Sequence, residues 1–328
     1  MEMKTDNALS HGSVDQQGFL ALRDALESES SGVRTFVVVR DGRIAFEHYR
    51  SDAAPDTLEN VNSVTKSVVG LAVGIAVTER RFASLDTPVG EIVEKARDPA
   101  LDERVRRITL RHLLTMTSGF ECEPGAVDQC LLGACDRLAG EDDRLNFVLS
   151  RPMVDAPGTR FRYDSHAVQL LSLAIEAVTG ATVEDYVREK LFAPLGIETS
   201  EWIADEAGHT FAGRGLMLRA RDMTKLGTLM MDRGAWRGAQ IVDASFIDDA
   251  MSVHSEGGPP MHGAQYGYLW WIAPHYVFAA GFGEQFIFVA RDMRRDKRIV
   301  ASATCDNSAA SKDVRALFEQ HVLGLGAR

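Results

Sequence analysis

Apolar and polar positions change period along the chain, and each change marks an element. Thr35 to Val39 is β-branched and aromatic, Asp41-Gly42 is a two-residue turn signal, and Arg43 to His48 resumes in alternation. An opening β-hairpin is predicted. From Asn62 to Val77 the pattern becomes that of a long apolar helix whose Gly70, Ala72, Gly74 and Ala76 permit close approach of neighbours. That helix is expected to be buried. Between about Leu85 and Asp249 the chain reads as mainly helical, most clearly over Thr109 to Thr115, Ala167 to Val178, Val183 to Leu191 and Ala220 to Asp232. Strand-like runs return at Tyr266 to Ile272, Tyr276 to Ala280, Gln285 to Ala290 and Arg298 to Cys305, followed by a closing helix from Lys312 to Leu323. The expected architecture is α/β (α+β): an antiparallel sheet built from both chain ends and flanked by helices, formed by 1–84 and 250–328, with 85–249 inserted as a mainly helical region. No repeat of fixed period is present.

With 328 residues, 45% hydrophobic and 25% charged, the chain can bury a substantial core and is neither disordered, collagenous nor coiled-coil. The longest near-continuous apolar run, Val68 to Val77, is about half of what a helix needs to cross a hydrocarbon core, so no membrane span is expected. A net charge of −11 works against attraction to nucleic acid or anionic lipid. The basic run Arg291 to Arg298 is read as a solvated hairpin turn. Met1 to Val14 lacks the apolar stretch of a secretory signal, and a cytoplasmic protein is expected. Four cysteines (Cys122, Cys130, Cys135 and Cys305) are too sparse for a disulfide scaffold. The spacing of the first three fits no zinc pattern and no His lies close by, so free thiols are expected and no metal.

Ser63-Val64-Thr65-Lys66 places a hydroxyl and an amine three positions apart at a predicted helix start, where i and i+3 share a face. A serine hydroxyl needs a neighbour to remove its proton, and a lysine can serve when desolvation or nearby positive charge brings it toward neutrality. The apolar helix supplies that environment, and its start directs N–H groups toward an oxyanion forming beside Ser63. Alone the pair is a weak signal, equally satisfied by Ser63 as an N-cap and Lys66 reaching to solvent.

The surroundings change that balance. Asn62-Ser63-Val64-Thr65-Lys66-Ser67, Leu110-Arg-His-Leu-Leu-Thr-Met-Thr-Ser-Gly119, Pro157-Gly-Thr-Arg-Phe-Arg-Tyr163, Tyr266-Gly-Tyr-Leu-Trp-Trp271 and Gly281-Phe-Gly-Glu-Gln285 together resemble the serine β-lactamase and penicillin-binding-protein-like superfamily, over about Thr35 to Cys305. Within it the chain most resembles the class C-like esterases and 6-aminohexanoate-dimer (nylon oligomer) hydrolases. The resemblance implies a β-lactamase-like fold, with Ser63 as the acylated nucleophile and Lys66 as the amine that accepts or relays its proton. It implies that Tyr163 is the general base and then acid, the Lys66/Tyr163 pair titrating as a unit. It also implies that the N–H groups of Ser63 and Phe282 form the oxyanion hole, with Gly281 and Gly283 edging the substrate site. No cofactor is implied.

Two departures alter the implied specificity. Ser165 stands where the second motif carries an Asn, losing an amide that would hold the substrate. Phe282 stands in a third motif that lacks the cation used to recognise a substrate carboxylate. A neutral or differently charged small-molecule ester or amide is therefore expected in place of penicillins or D-Ala-D-Ala peptides. Around the site, His166 is read as a helix-start histidine satisfied by local hydrogen bonds, Asp164 as a surface or capping carboxylate, and His112 as packed against the helical region. Glu284 either attracts an amine-bearing substrate or faces solvent. Trp270 and Trp271 are expected to fill the strand-to-core interface, with one able to line an acyl pocket. The alternatives are an acyltransferase or cyclising enzyme using the same acyl-enzyme, and a catalytically silent ligand-binding relative. The sequence leaves the oligomeric state open.

Overall fold

The computed structural model describes residues 14–28, 32–121, 141–205, 208–292, 297–306 and 313–325. The chain forms two compact units. One comprises 1–64, 217–232 and 275–328, and the other 65–216 and 233–274. These boundaries differ from the expected division at 84 and 250.

The first unit is organised by five strands: β1 (Val33–Arg40), β2 (Arg43–Tyr49), β3 (Tyr276–Gly281), β4 (Gln285–Asp292) and β5 (Lys297–Cys305). Their order is β2-β1-β5-β4-β3 and every neighbouring pair is antiparallel. The β1–β2 turn has Asp41 and Gly42 at φ 48° and 78°, the left-handed pair whose twist suits a two-residue hairpin. The first and last strands join at the sheet centre, where the Thr35 and Thr304 hydroxyls lie 2.7 Å apart in the core.

β1 carries an unbroken apolar run, Phe36 to Val39, because both faces of the sheet are covered. On one face lies the helix Ala220–Met231. Gly227 is its point of closest approach: a Cβ there would come within 2.9 Å of Ile287 Cγ2. Ala220 to Asp232 was expected in the helical insertion, but the helix lies on the sheet instead, with Gly227 allowing the close approach. On the opposite face Phe288 stacks on Phe318 with centroids 4.2 Å apart, and Phe19 stacks on Phe46 at 5.3 Å. Phe288 and Phe318 are fully buried, and burying a phenylalanine so completely contributes about 1.5–3 kcal/mol. Phe19 belongs to a helix, Val14–Glu27, absent from the predicted elements although Phe19, Leu22 and Leu26 share one helical face.

The second unit contains the helix Val64–Thr78 from Thr65 onward. Its small residues do what their spacing predicts. A Cβ on Gly74 would lie 2.6 Å from the Phe246 ring, and one on Gly70 would lie 3.4 Å from Leu269 Cβ. The helix Leu110–Leu114 begins with a capping box, in which Thr109 Oγ1 accepts from the His112 N–H and His112 Nδ1 accepts from the Thr109 N–H. The far edge of the His112 ring seats Gly158, where a Cβ would be 2.8 Å from Nε2. The expected strand Tyr266 to Ile272 is in fact a tight hairpin of Gln265–Tyr266 and Trp271–Ala273. Leu269 adopts φ 58° between them, and its N–H donates to the Leu114 carbonyl. Among the described residues no helix is long and apolar enough to cross a membrane.

Candidate active site

In the first unit the chain reaches Ser63 through a tight turn closed by the Val64 N–H on the Val61 carbonyl, 3.1 Å. Asn62 takes the second position of that turn at φ 47°, a conformation Asn tolerates better than most residues. Its N–H donates to Asn60 Oδ1 at 3.0 Å, and its Nδ2 donates to the Phe282 carbonyl at 2.8 Å. Phe282 opens the loop between β3 and β4, with Gly283 and Glu284 both at positive φ. Just before it, Gly281 is pressed against the turn: a Cβ there would overlap the Val61 carbonyl oxygen and stand 3.1 Å from the Ser63 nitrogen. Only glycine fits. Gln285 secures the loop from behind, donating to the Gly283 and Cys305 carbonyls and accepting from the Cys305 N–H.

The Phe282 side chain is 51% exposed on the strand edge next to Ser63. Glu284 is half-buried and accepts from the Val314 N–H at 3.0 Å. Burial pushes its carboxyl up and that N–H draws it partly back. This carboxylate caps the helix Val314–Leu317. Beneath the loop, burial raises the Cys305 thiol.

In the second unit Lys66 is fully buried. Its Nζ donates to the Gly213 carbonyl at 2.7 Å and lies 5.0 Å from the centroid of the Tyr163 ring. An ammonium over an aromatic face and on a carbonyl oxygen is held by two directional attractions. Tyr163 is itself seated by aromatic packing, stacked on Trp271 at 5.7 Å and edge-on to Tyr266 at 6.5 Å. Both tryptophans are buried, and Trp271 backs the site while Trp270 fills the core. Gly213 also fits against the next motif residue, where a Cβ would be 2.8 Å from the Ser165 carbonyl oxygen. Gly213 was not a sequence candidate. Nothing in the run Ala212-Gly213-Arg214-Gly215 signals that its carbonyl meets Lys66.

Asp164 fixes the backbone after Tyr163. Its Oδ1 accepts from the N–H groups of His166 and Ala167 at 3.0 and 3.1 Å, and its Oδ2 pairs with Arg151 Nη2 at 2.7 Å. Burial alone would raise this carboxyl, but the Arg151 guanidinium and the backbone donors hold it below the ordinary value. Asp164 caps as expected but is buried, not on the surface. His166 also departs from expectation. Its backbone N–H is satisfied locally, whereas its buried Nδ1 has no hydrogen-bond partner among the described residues. Burial depresses this imidazole to about 4, so it is neutral near pH 7. The Ser165 hydroxyl is likewise buried without a partner among the described residues.

Ser63, Gly281 and Phe282 thus assemble in one unit, and Lys66, Tyr163 and Ser165 in the other. The first turn of the helix Val64–Thr78 leads the chain from Ser63 to Lys66. Among the described residues no group of three or more His, Cys, Asp or Glu is arranged to hold a metal ion. Cys122, Cys130 and Cys135 lie outside the described residues, as does the centre of the Arg291 to Arg298 turn.

An antiparallel sheet covered by helices, with Ser-x-x-Lys opening a buried helix, defines the serine β-lactamase type of fold. The Beta-lactamase family profile matches residues 24–322, and the chain belongs to that family. It is 26% identical over 233 residues to the 6-aminohexanoate-dimer hydrolase of Paenarthrobacter ureafaciens, covering 68% of this chain and 58% of that protein. It is 29% identical over 216 residues to the esterase EstB of Burkholderia gladioli, covering 59% and 54% respectively. The chain therefore spans somewhat more than half the length of these curated relatives. Among solved structures, EstCE1, described as a hydrolase with promiscuous acyltransferase activity, superposes with a TM-score of 0.75 at 17% identity, over 95% of this chain and 98% of the other.

Proposed function

We propose that this protein hydrolyses a small-molecule ester or amide through a covalent acyl-enzyme on Ser63. Ser63 Oγ attacks the carbonyl carbon, and its proton passes to the Lys66/Tyr163 pair. The N–H groups of Ser63 and Phe282 receive the oxyanion. Tyr163 then protonates the leaving group, and water, deprotonated by the same pair, releases the acid and regenerates Ser63.

The observation that carries this reading is the burial of Lys66, one helical turn after Ser63, with its ammonium over the Tyr163 ring. A lysine kept only for solubility would extend to solvent. An exposed phenylalanine in a third motif that itself carries no Lys or His favours an uncharged acyl group over the carboxylate-bearing penicillins. The hydrolase and esterase names of the relatives agree with this class of substrate.

Intact-mass spectrometry after exposure to a panel of nitrophenyl esters, linear amides and a chromogenic cephalosporin tests the proposal. An acyl adduct on the native protein, absent from Ser63→Ala, is expected with esters, along with weak turnover of the cephalosporin. Equal labelling of both proteins overturns the nucleophile, and brisk cephalosporin turnover overturns the specificity. Adding an alcohol or amine and analysing products distinguishes hydrolysis from acyl transfer.

A further inference from the structure

We infer that Asn62 is a positioning residue that holds the two halves of the oxyanion hole in register. The inference rests on the reading of Ser63 as nucleophile and goes beyond it, because Asn62 has no part in the proton transfers. The Ser63 N–H belongs to the turn at 61–64, and the Phe282 N–H belongs to the end of β3. These segments are 219 positions apart in the chain (282 minus 63), and the β1–β5 and β3–β4 ladders do not pair one with the other. Two of the contacts that connect them, among the described residues, carry the inference. Gly281 presses its Cα side against the Val61 carbonyl and the Ser63 nitrogen, and Asn62 Nδ2 donates to the Phe282 carbonyl.

Phe282 is thereby fixed from both sides. The peptide carrying its N–H follows Gly281, and the peptide carrying its carbonyl is tied to Asn62. The orientation of the N–H between them follows from those two anchors. Asn62 contributes in a second way. Its left-handed backbone at φ 47° sets the direction in which the chain enters Ser63, and its own N–H is satisfied by Asn60 Oδ1. Asparagine suits the position because it tolerates this conformation and brings a donor short enough to reach across. Oxyanion donors act through placement on charge that appears only during reaction, so an error of a few tenths of an ångström lowers rate more than substrate binding.

The experiment compares the native protein, Asn62→Gly, Asn62→Asp and Ser63→Ala with p-nitrophenyl butyrate, a fluorophosphonate label and phenylboronic acid, whose tetrahedral serine adduct occupies the oxyanion position. Asn62→Gly keeps the backbone conformation and removes the clamp. Its kcat/KM and labelling rate are expected to fall about 10- to 100-fold, below the cost of deleting an oxyanion donor outright. The loss is expected in kcat, with KM nearly unchanged, boronate affinity falling in parallel and thermal unfolding little altered. Asn62→Asp places an acceptor against the Phe282 carbonyl and is expected to be slower still at pH 7.5. Relative to native protein it should recover as the pH falls and a protonated carboxyl can donate. Asn62→Gly labelling at the native rate, or Asn62→Asp showing no relative recovery in acid, overturns the inference while leaving Ser63 in place. Absence of Ser63 labelling in native protein overturns both readings.

Discussion

Arg151 and Asp164 form an ion pair at 2.7 Å with almost no exposure of either side chain, 9% and 1%. The carboxylate also receives the first free N–H groups after the tyrosine motif, so the pair sets the backbone that carries Tyr163. Removing one member leaves the other charged and buried. Arg151→Ala is expected to destabilise the fold by about 3–5 kcal/mol. Urea unfolding would measure this, and a change under about 1 kcal/mol would show that water replaces the guanidinium without penalty.

His166 makes stability depend on acid. Its imidazole is depressed to about 4 by burial, whereas in the unfolded chain it titrates near about 6.5. As pH falls between these values the unfolded state takes up a proton that the folded state resists. The contribution is therefore complete above about pH 6.5 and is lost toward pH 4, by about 3 kcal/mol in total. His166→Phe should flatten the stability curve across that window when unfolding is measured at several pH values. Parallel curves would refute the assignment.

Gly281→Ala tests the fit between the strand end and the turn that carries the proposed nucleophile. The added methyl overlaps the Val61 carbonyl oxygen, so the strand edge must retreat from Ser63. A fall of about 10²-fold or more in ester kcat/KM is expected, with native far-UV circular dichroism retained. Unchanged kinetics would mean that the edge is not part of the reacting site.

Tyr163→Phe separates the phenol from its ring. The ring stacks on Trp271 and lies under the Lys66 ammonium, and phenylalanine preserves both contacts. Activity should drop by about 10²–10⁴-fold, the usual worth of a positioned acid–base group, while the melting temperature stays close to native. Lys66→Met should lose as much activity, and under the proposed mechanism, in which the two act as a unit, combining them should cost little more. Additive losses would assign them separate roles.

The elements that were legible in the sequence are those whose cause is local. Asp41-Gly42 announces its hairpin because only certain residues adopt two successive left-handed conformations, and Gly74 announces close packing because a side chain there has nowhere to go. Ser63, Lys66 and Tyr163 are conspicuous because the chemistry proposed for them demands particular residue types. What escaped depends on distant backbone. Gly213 matters through a carbonyl that every residue possesses, and the run Tyr266 to Ile272 bends because Leu269 bonds to Leu114. His166 follows a helix-start carboxylate as an ordinary capping sequence would, and only burial isolates its ring nitrogen. The helix Ala220–Met231 has an unremarkable helical pattern, and its placement on the sheet is decided by strands far along the chain.

The hydroxyl pair of Thr35 and Thr304 joins residues 269 positions apart and has a consequence for biosynthesis. During translation at about 5–20 residues per second, β1 emerges roughly ten to fifty seconds before the strand it must pair with. Throughout that interval one of its edges offers unsatisfied backbone groups beside the apolar run Phe36–Val39, an invitation to mispairing. A nascent chain of this protein should therefore depend on chaperone shielding of its first hairpin until β5 arrives.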